Sequence, residues 1–208
     1  LDLRGNRLRS LPAEIGQLSA LTTLDLRGNQ LASLPAKVGE LELIATLLLG
    51  DNRLGVSALK RLGPLDSLRR LDLNDNRLAS LPAAIGRLTG LTVLDMRRNR
   101  VKALPRQIGH LLSLNTLKLQ HNELTCVPAE VGHLTALTRL GLSHNNLAAP
   151  PLGLVDLPDL RYLFLGHNPF ATGPPWCRTD YEAMDEEIAV LQEDIALLQA
   201  DDDYDDAG

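Results

Sequence analysis

Asparagine recurs along this chain at intervals of 23 residues, with a single interval of 24. Alternating leucines precede each asparagine, and most units read LxxLxLxxNxLxxLPxxIGxL. A period of about 20–29 residues is typical of units that cannot bury an apolar face alone and must stack on their neighbours. The sequence therefore predicts a repeat array. The asparagines are Asn6, Asn29, Asn52, Asn76, Asn99, Asn122, Asn145 and Asn168.

Each unit divides into two halves with different chemistry. Before the asparagine, apolar and polar residues alternate, as in Leu71-Asp72-Leu73, which predicts a short strand with leucines inward and parallel stacking between units. After it, the proline of the LPxxIGxL half removes a backbone donor and fixes φ, which predicts an irregular or short helical outer wall. The asparagine amide can both donate and accept hydrogen bonds where the chain turns inward. The prolines are Pro12, Pro35, Pro82, Pro105, Pro128, Pro151 and Pro174.

This motif resembles that of the leucine-rich repeat proteins, most closely their intracellular Ras-group class, and the resemblance covers about seven-eighths of the chain. It implies an α/β fold: a curved horseshoe solenoid with parallel strands on the concave face and short helical or irregular convex segments. It also implies binding to proteins, components of small GTPase pathways among them. Leu1 is already the fourth position of a unit, so we expect eight units over residues 1–175, the first truncated, within a longer protein.

A different periodicity begins after Pro174-Pro175, and we predict an acidic C-terminal helix and a disordered tail over residues 176–208. Apolar residues spaced three and four apart form a seam typical of a coiled coil, but acidic flanks would repel a second copy. Two interpretations stay open: the helix over 181–198 caps the solenoid, or it pairs with a basic-flanked helix of a partner. The seam residues are Tyr181, Met184, Ile188, Leu191, Ile195 and Leu198.

Charge and composition exclude several classes of partner. Residues 1–177 hold 20 Lys and Arg against 14 Asp and Glu, whereas residues 178–208 hold one Arg against 12 acidic residues. With a pI near 5.5 and 3% aromatic residues, the chain lacks the basic, aromatic footprint of a nucleic-acid binder. No apolar run approaches the length that crosses a bilayer. Because N-x-S/T sequons and paired-cysteine caps are also missing from the sequence, we expect a cytoplasmic protein.

The outward strand positions carry charged side chains and, toward the C-terminal end, aromatic ones. Asp25 with Arg27 is one of several pairs two residues apart, which places both side chains on one face. Two interpretations stay open for these charges, solubility or electrostatic recognition, and two for the aromatics, binding anchors or contacts with a cap. The candidate protein-binding residues are Arg27, Arg70, Asp72, Asp95, Arg97, Arg98, Lys118, Arg139, Tyr162 and Phe164.

Histidine precedes the asparagine in three successive units, at His121, His144 and His167. Three imidazoles one strand apart are candidate zinc ligands, but no cysteine or carboxylate converges with them, and repetition of the unit explains the column. The sequence contains no P-loop, no GxGxxG after a strand, no GxSxG and no HExxH. We therefore predict no catalytic, cofactor or metal site.

The sequence as a whole predicts a non-catalytic scaffold that binds a protein partner on its concave face. Two alternatives stay open: a recognition or regulatory domain of a larger enzyme or signalling protein, and a structural subunit of a large assembly.

The third unit departs from the pattern, since it is one residue longer and lacks the early proline. Here we predict a short true helix that Ser57 caps, that runs to about Leu62 and that ends at Gly63-Pro64.

Overall fold

The computed structural model describes residues 1–151, 154 and 157–170. The predicted C-terminal helix and tail over 176–208 lie outside these residues, as do the two roles considered for that helix.

The described residues form a single parallel sheet of seven short strands in chain order. The first, truncated unit adds an isolated bridge between Asp2 and Asp25. One strand per unit, stacked in parallel, confirms the predicted solenoid. The strands are β1 (Thr23–Asp25), β2 (Thr46–Leu48), β3 (Arg70–Asp72), β4 (Val93–Asp95), β5 (Thr116–Lys118), β6 (Arg139–Gly141) and β7 (Tyr162–Phe164).

Leucines from every unit form one continuous core behind the sheet. The central leucine of each strand pairs in register with that of the next, as Leu24 does with Leu47 and Leu47 with Leu71, and all three are fully buried. Because strand side chains alternate between faces, the flanking residues point away from this core. The inward orientation predicted for the leucines is confirmed.

The outer wall consists of short 3₁₀ helices, each directly preceded by a proline in extended conformation. The glycine that follows the buried Ile or Val permits close stacking, since a Cβ on Gly109 would lie 2.5 Å from the carbonyl oxygen of Glu130 in the next unit. No helix in the described part of the chain has the length and apolar character needed to span a membrane. The 3₁₀ helices are Ala13–Gln17, Ala36–Glu40, Ala83–Arg87, Arg106–His110 and Ala129–His133.

The third unit contains an α-helix, α1 (Val56–Leu59), but the details predicted for it were wrong. Gly55 is the N-cap, with φ −101° and ψ 173°, and no side chain caps the helix. Ser57 lies inside α1, too far along the chain to accept a hydrogen bond from the first free N–H groups. Leu62, where we expected the helix to end, is a buried residue beyond it.

The asparagine of each unit after the first joins that unit to the preceding one. The Nδ2 of Asn99 donates to the carbonyl oxygens of Leu73 in the preceding unit and Met96 in its own, at 2.9 and 3.0 Å, and its Oδ1 accepts the N–H of Leu78 at 3.0 Å. The same inter-unit pattern repeats from Asn29 to Asn168. The double role predicted for this amide is confirmed. The structure adds that its hydrogen bonds with Leu73 and Leu78 cross to the preceding unit.

We expect Asn99→Ala to lower the free energy of unfolding by at least about 3 kcal/mol, because it leaves several buried backbone groups without a hydrogen-bond partner, at a cost of roughly 1–3 kcal/mol each. Equilibrium unfolding in urea measures the loss. Asn6→Ala is the matched control: Asn6 is exposed, and in the described chain it donates to Leu3 and Arg4 of its own turn. Its loss should stay below about 1 kcal/mol. Equal losses in both variants would mean that the amide acts within its own turn and does not join units.

Candidate protein-binding face

Three positions in each unit face away from the leucine core, on the exposed side of the sheet. They are the first residue of the strand, the third residue of the strand and the second residue after the strand ends. We call this surface the strand face. From β1 to β7 its first column is Thr23, Thr46, Arg70, Val93, Thr116, Arg139 and Tyr162; its second is Asp25, Leu48, Asp72, Asp95, Lys118, Gly141 and Phe164; its third is Arg27, Gly50, Asn74, Arg97, Gln120, Ser143 and Gly166.

Nine of the ten residues proposed from the sequence lie on the strand face, and Arg98 does not. Because Arg98 directly follows Arg97, and successive side chains point to opposite sides, the Arg98 side chain points away from the strand face. It is exposed and has a left-handed backbone, with φ 54°, at the turn that leaves the strand. The structure therefore places Arg98 on the flank of the solenoid, in the column of His121 and His144.

Two aspartates of the second column each form an ion pair with an arginine of their own unit. The guanidinium of Arg27 contacts both carboxylate oxygens of Asp25, at 3.0 and 2.7 Å, and the Arg97 Nη2 lies 2.9 Å from the Asp95 Oδ2. Both aspartates are buried. The hydrogen bonds from Arg27 hold the pKa of Asp25 below its ordinary value, although burial opposes them. These two pairs neutralise much of the charge at their own positions.

Asp72 is buried on the strand face without such an arginine. Asn74 stands where the other two units have arginine, and it offers Asp72 a backbone N–H at 3.0 Å. Among the described residues, no basic side chain forms an ion pair with Asp72, which is 4% exposed. Burial raises the pKa of Asp72, and Asp95, its register partner on β4, raises it further, although the Asn74 N–H and the charges of Arg27 and Arg70 oppose this rise in part. Asp72 is therefore a carboxylate whose charge the fold leaves poorly compensated.

The C-terminal end of the strand face combines aromatic and basic side chains. The Arg139 guanidinium lies 4.8 Å from the ring centroid of Tyr162, its register partner on β7, in cation–π geometry. Tyr162 is 37% exposed and Phe164 is half-buried. The outward positions of β5 to β7 contain Lys118 and Arg139 but no acidic residue. This end therefore differs in charge from the aspartate-bearing strands β1, β3 and β4.

Gln120 and Ser143, on the same end of the strand face, had no role assigned from the sequence. The Gln120 Oε1 and the Ser143 Oγ are buried without a hydrogen-bond partner. Their polar character was readable from the sequence, but their lack of partners depends on side-chain positions and was not.

The three histidines form a stack beside the strand face. Ring centroids of His121 and His144 lie 4.2 Å apart and those of His144 and His167 lie 4.1 Å apart, with ring planes within 12° of parallel. Parallel rings carry their nitrogens side by side, whereas zinc needs ligand atoms that converge on one point at about 2.0–2.1 Å. In the described ranges no group of three or more His, Cys, Asp or Glu residues is arranged to hold a metal ion.

We expect Asp25→Asn and Asp72→Asn to have opposite effects on the melting temperature at pH 7. The lowered pKa of Asp25 stabilises the fold above its unfolded pKa of about 3.9, so its replacement should lower the melting temperature. The raised pKa of Asp72 means that its ionised form opposes folding, so its replacement should raise the melting temperature.

Both differences should shrink as the pH falls from about 7 to about 3. The Asp72 difference should disappear first, below the unfolded pKa of about 3.9, whereas the Asp25 difference should persist to lower pH because its folded pKa is lowered. Thermal melts of the two variants and the parent protein from pH 7 to pH 3 measure this. A shift of the same sign for both variants at pH 7 would contradict the distinction between paired and poorly compensated aspartates.

Comparison with known families supports the architecture directly. Residues 47–165 match a family model described as a leucine-rich repeat region, and residues 20–41 match the model of a single leucine-rich repeat. Comparison with curated proteins finds no match.

Among the solved structures with a similar fold are a bacterial protein and two plant receptors. A leucine-rich repeat protein of Leptospira interrogans is 37% identical, with a TM-score of 0.76 over 78% of this chain and 41% of that one. The leucine-rich repeat ectodomain of the Arabidopsis thaliana membrane receptor kinase GASSHO1/SCHENGEN3, in complex with Casparian strip integrity factor 2, is 35% identical, with a TM-score of 0.70 over 80% of this chain and 20% of that one.

A plant peptide hormone receptor, RGFR1, in complex with RGF2, is 31% identical, with a TM-score of 0.62 over 81% of this chain and 32% of that one. The chain thus spans less than half the length of each of these proteins. Since the family match extends over more than half of its residues, and the strands, turns and asparagine contacts agree with it, this chain belongs to the leucine-rich repeat proteins.

Proposed function

We propose that this chain is a non-catalytic recognition module that binds a protein partner on its strand face. Leucine-rich repeat domains are generally protein–protein interaction modules without catalytic activity. What supports the strand face as the binding surface is a division between positions that repeat and positions that vary.

The positions that hold the fold carry the same residue type in nearly every unit. The strand centre is leucine from β1 to β7, and the turn residue is asparagine in all eight units. The first column of the strand face instead holds threonine, arginine, valine and tyrosine in different units. Because these side chains lie outside the leucine core, the fold does not dictate them. Their identities are free to match a partner.

Similar proteins support a protein or peptide as the partner. Two of the similar structures are receptors in complex with Casparian strip integrity factor 2 and with RGF2, the latter bound to a peptide hormone receptor. For this chain we propose the same broad class of ligand. A cytoplasmic location and a partner from a small GTPase pathway, which resemblance to the Ras-group class implies, stay predictions.

Affinity capture with the full-length protein, followed by mass spectrometry, would supply candidate partners. We expect the double change Arg70→Ala and Tyr162→Ala to weaken binding of the true partner by at least about tenfold, since exposed arginine and tyrosine are the side chains that most often dominate interfaces. Isothermal titration calorimetry measures the affinity.

The matched control is Arg87→Ala with Leu112→Ala, which also removes one cation and one large apolar side chain, both exposed and both off the strand face. This control should change the affinity less than about twofold. Equal losses, or a larger loss from the control, would place the binding site on another surface.

A further inference from the structure

Two polar atoms just beyond the ends of strands β5 and β6 are buried without a hydrogen-bond partner: the Oε1 of Gln120 and the Oγ of Ser143. Ser143 is 4% exposed, and both residues belong to the third column of the strand face. Folded proteins contain few buried polar atoms without partners, because each has given up hydrogen bonds to water without replacement. These two therefore require an explanation.

Gly141, two residues before Ser143 on the same side of β6, provides the space in which the end of the Gln120 side chain lies. The amide group of Gln120 lies across the backbone of Gly141, in the volume that a Cβ at this position would occupy. It is the end of a flexible side chain, and it gains no hydrogen bond for its Oε1 in this position. A rotation that moves the Gln120 amide to the edge of this space would therefore open a hollow above Gly141.

The hollow requires a ligand that both donates and accepts hydrogen bonds. The Gln120 Oε1 needs an N–H, and the Ser143 hydroxyl can donate to a carbonyl oxygen. A peptide group carries both. The neighbours of Gly141 in register are Lys118 on β5, which itself lies beside Asp95 on β4, and Phe164 on β7, which makes one side of the hollow aromatic.

We propose that the hollow at Gly141 binds the main chain of an extended, acidic segment of a protein partner. A peptide group of that segment pairs with Gln120 and Ser143. An acidic side chain is attracted by Arg139, whose own strand β6 carries no acidic outward residue, and a neighbouring apolar side chain packs on Phe164. This assignment rests on the proposed function and specifies the chemistry of the partner.

A phage-displayed library of random 12-residue peptides, selected on the full chain, is the probe. We expect selected peptides to place Asp or Glu beside an aromatic or branched residue. Ser143→Ala should weaken the synthesised peptides about threefold to tenfold, the effect of one neutral hydrogen bond. Gly141→Ala should weaken them at least about tenfold, since its methyl group fills the hollow; Gly141 has no left-handed φ, so alanine fits its backbone.

Gly50→Ala is the matched control on the N-terminal half of the strand face. Its added Cβ would likewise meet the end of a flexible side chain, 2.8 Å from the Asn74 Oδ1. Affinity for the selected peptides should be unchanged.

The Ser143→Ala variant should melt at or above the melting temperature of the parent protein, because the Ser143 hydroxyl has no hydrogen-bond partner to lose.

Three results would overturn the assignment. A clear fall in the melting temperature of Ser143→Ala would show that the hydroxyl is already paired. Selected peptides that tolerate Gly141→Ala but lose binding to Arg70→Ala would refute the hollow while leaving recognition by the strand face intact. Peptides that tolerate every strand-face change but lose binding to Arg87→Ala with Leu112→Ala would contradict both proposals.

Discussion

The hydrogen bonds of the asparagine amide between neighbouring units set the geometry on which the rest of this structure depends. Leucine burial drives the units together but has no direction, and it would tolerate small sliding of one unit past the next. The amide has direction: in Asn122, Nδ2 reaches the carbonyl oxygen of Met96 in the preceding unit, and Oδ1 accepts the N–H of Val101 at 3.0 Å. A shift along the strand would break both bonds, so each unit has one register.

That register is what creates a recognition surface. Because equivalent positions fall one strand apart, side chains that are 23 residues apart in sequence become neighbours, as with Arg139 and Tyr162 or the stacked rings of His121 and His144. The same alignment brings Asp72 beside Asp95, and Gly141 between Lys118 and Phe164. The chemistry of the strand face thus follows from which residue each unit carries at three outward positions.

Much of this was predictable from the sequence, because the repeat period is a strong and local signal. The strands, the inward leucines, the proline-led outer wall and the double role of the asparagine all followed from it. The conformation of single residues did not. Arg98 adopts a left-handed φ that arginine rarely favours, since the turn imposes it, and Gly55 replaced Ser57 as the cap of α1. Gln120 lies across Gly141 because glycine leaves room there, which requires the neighbouring strand to be seen.

The central claim is that one set of residues holds the fold and another binds the partner. Its most direct test is a variant whose first strand-face column is threonine throughout: Arg70→Thr, Val93→Thr, Arg139→Thr and Tyr162→Thr, matching Thr23, Thr46 and Thr116. Its melting temperature and partner affinity would be measured side by side with those of the parent. We expect a cooperative melt within about 5 °C of the parent, since no core residue changes, together with loss of the partner. A variant that unfolds, or one that keeps the partner with undiminished affinity, would contradict it.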